Sequence, residues 1–261
     1  MSPNSMPVLF VGHGSPMNAI EDNEYSRGWR TVAAQLPPPA AIVCISAHWE
    51  TSGTHVTAME RPRTIHDFFG FPQALYAIEY PAPGQPSLAK EIQALVEQTR
   101  VGQDLRWGLD HGTWSVLRHM FPDAQVPTVQ VSLDRARSPQ EHYDLACELS
   151  ALRRRGVLVI GSGNMVHNLR LLNWEDIETP YEWAQEADAE LKRRILTHDH
   201  QALIDHRRLG TWAALAVPTL EHYLPMLYVL ALQEEGDEPR FFNESVLSSL
   251  SMTGFVLAGA R

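Results

Sequence analysis

The chain has 261 residues, 44% of them apolar, which is enough for one full core and makes a single domain over residues 1–261 the expectation. Its formal charge of −10, with no Lys/Arg run longer than Arg153-Arg154-Arg155, argues against nucleic acid as a partner. No apolar stretch nears the roughly 20 residues of a membrane span, and Met1 to Met6 lack the pattern of a secretory signal, so a cytoplasmic protein without a membrane partner is expected.

Val8 to Val11 is the first short apolar run and reads as a strand. Pro37-Pro38-Pro39 is a stiff connector into a second, Ala41 to Ile45. Residues 60 to 84 are rich in Pro, Gly and aromatics, including Phe68, Phe69, Phe71, Tyr76 and Tyr80. That is long for a mere connection, and its aromatic content argues for a wall or lid over a pocket. Leu88, Ile92, Leu95 and Val96 then follow helical spacing. From Val126 to Leu133, apolar Val129, Val131 and Leu133 alternate with Thr128, Gln130 and Ser132, which predicts a strand with one more polar face.

Ser138-Pro139-Gln140-Glu141 is a helix start: Ser138 caps, Pro139 suits the first turn and Glu141 reaches back. The three arginines after it read as that helix's solvated end. Val157 to Ile160 is a third apolar strand, and helices are predicted over residues 181–197 and 220–233. The apolar runs lack period-two alternation, as strands covered on both faces do. The pattern predicts an α/β fold: a three-layer α/β/α sandwich with a central, largely parallel or mixed sheet. Cys44 and Cys147 both read as small core residues rather than a disulfide.

Ligands in open α/β sheets bind beyond the carboxyl ends of strands. Three of the twelve histidines fall where such ends are predicted. His13 sits between Gly12 and Gly14, His48 ends the second strand, and His167 follows the turn Gly161-Ser162-Gly163-Asn164. His222 stands near the start of an apolar helix beside Glu221, and either side chain there suits a cation. His111 follows Leu109-Asp110 and precedes Gly112-Thr113-Trp114.

Imidazole is the commonest protein metal ligand and moves protons near neutral pH. Zinc and iron(II) both accept it, and catalytic sites keep open positions. No His-Glu-x-x-His pair is present. Gly161-Ser162-Gly163 is not a serine-hydrolase elbow, and both cysteines lie in contexts unsuited to a thiolate. His198, His200 and His206 fall in a charged region and read as solvated, as do His119 and His142. His66, within the aromatic stretch, is a candidate to face the pocket.

Taken together, Gly12-His13-Gly14-Ser15-Pro16, Ser46-Ala47-His48-Trp49, Asp67-Phe68-Phe69-Gly70-Phe71-Pro72, Tyr80-Pro81-Ala82-Pro83-Gly84, Leu109-Asp110-His111-Gly112-Thr113-Trp114, Gly161 to Asn168 and Glu221-His222-Tyr223-Leu224-Pro225 form a pattern spanning nearly the whole chain. In it the chain resembles the class III extradiol ring-opening dioxygenases of the DOPA-dioxygenase type. The resemblance implies cleavage of a small aromatic diol by O2, with one divalent ion per chain, Zn(2+) or Fe(2+). It implies His13, His48 and His222 as metal ligands, His167 as either a fourth ligand or an acid/base, and His111 as a catalytic histidine near the substrate. Phe69, Phe71 and Tyr80 are the expected substrate contacts. The alternative expectation is a zinc-dependent hydrolase or isomerase that uses the same histidines to activate water.

Overall fold

The computed structural model describes residues 5–259. Its strands are β1 (Val8–Gly12), β2 (Ala41–Thr51), β3 (His55–Thr57), β4 (Gly102–Asp104), β5 (Thr128–Asp134), β6 (Val157–Gly163), β7 (Asp237–Phe242), β8 (Val246–Leu247), β9 (Leu250–Ser251) and β10 (Gly254–Gly259). Its helices are α1 (Glu24–Ala33), α2 (Gln73–Tyr76), α3 (Pro86–Leu95), α4 (His111–Met120), α5 (Pro139–Glu148), α6 (Glu182–Leu196), α7 (His200–Ile204), α8 (Ala213–Ala216) and α9 (Leu224–Ala231). Eight strands form one mixed sheet in the order β4-β3-β5-β2-β6-β1-β10-β7, and β8 and β9 make a small hairpin.

Alternate residues of the central strands feed two separate apolar layers. Val8, Phe10, Val43, Ile45 and Val159 pack with residues of α3, α5, α6 and α9. Leu9, Val11, Ile42, Cys44, Leu158 and Ile160 pack on the other face, with Trp29 of α1 and Trp114, Val116 and Leu117 of α4. The α/β/α sandwich read from the apolar runs is therefore the one formed, and both faces of the inner strands are dry. The central four strands, β5, β2, β6 and β1, are mutually parallel. Their carboxyl ends therefore lie along one edge of the sheet, where Gly12 registers with Gly163 and Ser46 with Ser162.

Local chemistry explains the elements. Ser138 caps α5 in a complete capping box with Glu141, as its sequence predicts. Other expectations need correction. β5 keeps the more polar face its alternation predicts, but that face is turned inward: Thr128, Gln130 and Ser132 are fully buried, and their polar groups are paired inside the protein. β2 does not stop near His48 but runs on to Thr51 through a register shift between Ile45 and Glu50. Arg153 is not solvated either. It is 1% exposed and pairs with Asp237 at 2.5 Å while donating to the Met6 and Leu232 carbonyls. His142 is buried, and His119 and His200 are partly so, because their rings find hydrogen-bond partners inside, while His206 is buried against the ring of Tyr223. Cys147 is exposed while Cys44 is buried, and both are free thiols. Among the described residues, no helix is long and apolar enough to cross a membrane.

Candidate active site

Five imidazoles gather at the carboxyl edge of the parallel strands. His13 leaves the end of β1, its backbone N–H bonded to the Gly163 carbonyl at 3.1 Å. His48 comes from the extension of β2, and His111 is the first residue of α4, whose N-cap is Asp110. His167 lies past β6, with its N–H on the Ala216 carbonyl and a bridge to Leu250 of β9. His222 precedes α9 and is seated by the Asn164 N–H, which donates to its carbonyl at 2.9 Å. That seat depends on Gly163, since a Cβ there would run into the His222 carbonyl.

Ligating nitrogens of His13, His48 and His222 all lie within 4.8 Å of one another. Nε2 of His13 and Nε2 of His48 are 3.0 Å apart. Hydrogen bonding fixes which ring nitrogens are bare. The Ser162 hydroxyl has one proton and donates it to the Gly112 carbonyl at 2.5 Å. It must then accept from His13 Nδ1, 3.0 Å away, so the lone pair of His13 is on Nε2. Glu221 accepts from Nδ1 of His222 at 3.3 Å, with the same result for that ring.

Burial, followed by the neighbouring imidazoles, holds His13 and His222 well below the ordinary histidine value. Burial and then His111 bring His48 down to about 3, and burial lowers His167 to about 4. All four rings are thus neutral near pH 7. The bare Nε2 of His13 thus faces Nε2 of His48 at 3.0 Å, close to the spacing of two nitrogens that share one cation. Nitrogens bound at about 2.0–2.1 Å around a tetrahedral ion stand roughly 3.3 Å apart. The donor set therefore fits a divalent ion of the imidazole-binding kind.

A buried polar scaffold holds this cluster. Asp110 accepts from the Ser46 hydroxyl and from the Gln130 amide, both at 2.7 Å, and Gln130 in turn accepts the Asp110 N–H at 2.8 Å. Burial raises the Asp110 carboxyl. Asp67 is also pushed up by burial, but its bonds with His111 outweigh this and hold it below the ordinary carboxylate value. Sequence reasoning passed over Asp67, Ser162, Ser46 and Gln130. Asp67, Ser46 and Ser162 lie within the histidine and aromatic motifs, and Gln130 within a strand run, without a local sign of their roles.

The aromatic stretch forms a wall, but with different members. Phe68 stands edge-on to His111 at 5.6 Å and to Phe71 at 5.4 Å. Phe71 is half-buried, and Phe69 projects outward, 92% exposed. Tyr80 does not offer a surface to a ligand. It is buried in the core and its hydroxyl donates to the Phe121 carbonyl at 2.9 Å. His66 bonds the Ile78 carbonyl and packs on Trp114.

Residues 7–254 match the family described as the catalytic LigB subunit of aromatic ring-opening dioxygenase. The chain belongs to this family. Family membership explains the cluster: the chain is a metal-dependent dioxygenase that opens an aromatic ring, which replaces the hydrolase alternative. It is 48% identical over 246 residues to the 4,5-DOPA dioxygenase extradiol of Escherichia coli (strain K12), covering 92% of this chain and 89% of that one. The protein of the same description from Beta vulgaris is 34% identical over 250 residues, covering 93% and 92%. A crystal structure of an uncharacterised Escherichia coli K12 protein is similar with a TM-score of 0.85 and 39% identity, over 97% of this chain and all of that one.

Proposed function

We propose that this dioxygenase cleaves a catechol such as DOPA beside its hydroxyls, as one catalytic domain over residues 1–261 in the cytoplasm. The observation that carries the reading is the convergence of His13, His48 and His222, from three distant segments, with mutually facing nitrogens. The similarity to proteins described as 4,5-DOPA dioxygenases supports the substrate class. The free thiols of Cys44 and Cys147 accord with a reducing compartment.

In this reading His13, His48 and His222 hold one divalent ion per chain. When bound, the ion supplies positive charge that acidifies a catechol hydroxyl and, as iron(II) rather than redox-inert zinc, a centre able to exchange electrons with O2. The remaining chemistry belongs to side chains. His167 and His111 carry the protons. A ring with a bare nitrogen accepts the hydroxyl proton as a base and returns it later as an acid. Phe68 and Phe71 flank the ring of the substrate and limit water near it. Glu221 and Ser162 keep the outer nitrogens of His222 and His13 protonated, so that their lone pairs face inward.

The test is anaerobic loading with iron(II), followed by oxygen and either L-DOPA or a simple catechol. Oxygen uptake matched to a yellow ring-opened semialdehyde is expected. Absence of uptake with every catechol overturns the substrate reading, and oxygen-independent ester hydrolysis by the zinc form would restore the water-activating alternative.

A further inference from the structure

Asp67 lies between β3 and α2, in a stretch whose sequence stands out for its aromatic rings. Both of its carboxylate oxygens go to one residue. Oδ1 accepts the backbone N–H of His111 at 2.8 Å, and Oδ2 lies 2.9 Å from that residue's Nδ1. Oδ2 is also 3.5 Å from Nδ1 of His48. The backbone bond has a plain cause. His111 opens α4, and an N–H in the first turn of a helix has no partner within the helix. Asp67 fills that vacancy, and in doing so its second oxygen meets the imidazole edge.

An ionised carboxylate can only accept. Nδ1 of a neutral His111 must therefore carry the proton, leaving the lone pair on Nε2. The ring has little freedom to turn over, with His48 at 3.9 Å and the edge of Phe68 at 5.6 Å. We propose that Asp67 is a positioning residue for ring opening: it fixes His111 as the Nδ1–H tautomer so that Nε2 is the nitrogen offered to a substrate proton. The functional consequence rests on the reading of His111 as a proton carrier. The pairing itself does not.

The experiment uses zinc-loaded protein labelled with nitrogen-15 in histidine, with the His111 signals assigned by their loss in His111→Gln. Ring nitrogen shifts distinguish N–H from bare nitrogen. Wild-type His111 is expected to show protonated Nδ1 and bare Nε2. Asp67→Asn, whose amide can donate as well as accept, is expected to give mixed or reversed tautomers. Its turnover of L-DOPA in the iron(II) form should fall tenfold or more, through kcat rather than KM. A residue that only staples the loop to the helix would change the melting temperature and leave the tautomer as it was.

An Nε2–H ring in the wild-type protein overturns the proposal, and that measurement needs no variant to fold. A folded Asp67→Asn protein with the wild-type tautomer overturns it as well. Wild-type turnover by His111→Gln would instead remove the proton-carrier reading of His111, while the nitrogen shifts still decide the pairing with Asp67.

Discussion

The imidazole of His167 lies flat on that of His222, with ring centroids 3.5 Å apart and planes within 7°. A ring nitrogen gives its lone pair in the plane of the ring. An ion held by His222 would then stand about one stacking distance from the plane of His167, outside the reach of a bond of about 2 Å. The geometry favours His167 as an acid/base over a fourth ligand. His167→Ala should therefore keep its metal, measured by elemental analysis, close to the wild-type ratio. Its kcat should fall by about 10² to 10⁴, the usual worth of one acid/base group. Loss of the metal in this variant would make His167 a ligand.

Ser162 decides the tautomer of His13 because its only proton is committed to the Gly112 carbonyl. Ser162→Ala removes that acceptor and leaves the His13 Nδ1–H and the Gly112 carbonyl without their partner. Metal affinity, measured by competition with a chelator, should drop about 10- to 100-fold. Unpaired buried groups of this kind cost roughly 1–3 kcal/mol of stability, readable by denaturant unfolding. Unchanged affinity would remove Ser162 from the support of the metal site.

How much of this was legible in the chain depends on whether a signal was local. Val8 to Val11 and Val157 to Ile160 declare buried strands because both faces of each must be apolar. The box Ser138–Glu141 declares a helix start because its bonds span three residues. The histidines stood out because glycines and strand ends flank them. Asp67 and Ser162 gave no comparable signal, since each works only through a residue 44 or 149 positions away. The role of Gln130 was hidden for the same reason. Its alternation along the strand marks a polar face, and only its partner, Asp110, shows what that face holds. Tyr80 shared the aromatic character of its neighbours, but burial turned it into packing.

His142 is enclosed between the Tyr228 hydroxyl, 3.0 Å from Nδ1, and the Asp134 carbonyl, 3.1 Å from Nε2. Burial lowers it to about 4. The unfolded chain binds this proton near pH 6.5 and the folded one only near 4. Stability from this residue is thus complete above pH 6.5, falls as the pH drops toward 4, and is lost below it. The amount is on the order of 3 kcal/mol. Comparing wild type with His142→Gln isolates this residue from the metal-site histidines. The difference in unfolding free energy should shrink between pH 6.5 and 4, and a difference constant across that window would refute it.

The approach of His222 to the end of β6 tolerates no side chain at position 163. A Cβ there meets the His222 carbonyl, which is backbone and cannot rotate away. Gly163→Ala must push the segment before α9 outward, and His222 moves with it. The expected cost is roughly 1–3 kcal/mol in urea unfolding, with weakened metal binding measured on the same sample. Gly259→Ala is the control, because a Cβ there meets nothing within 4 Å. It should stay within about 0.5 kcal/mol of wild type and keep the metal. Equal metal affinity in the two variants would show that the close contact at Gly163 does not set the position of His222.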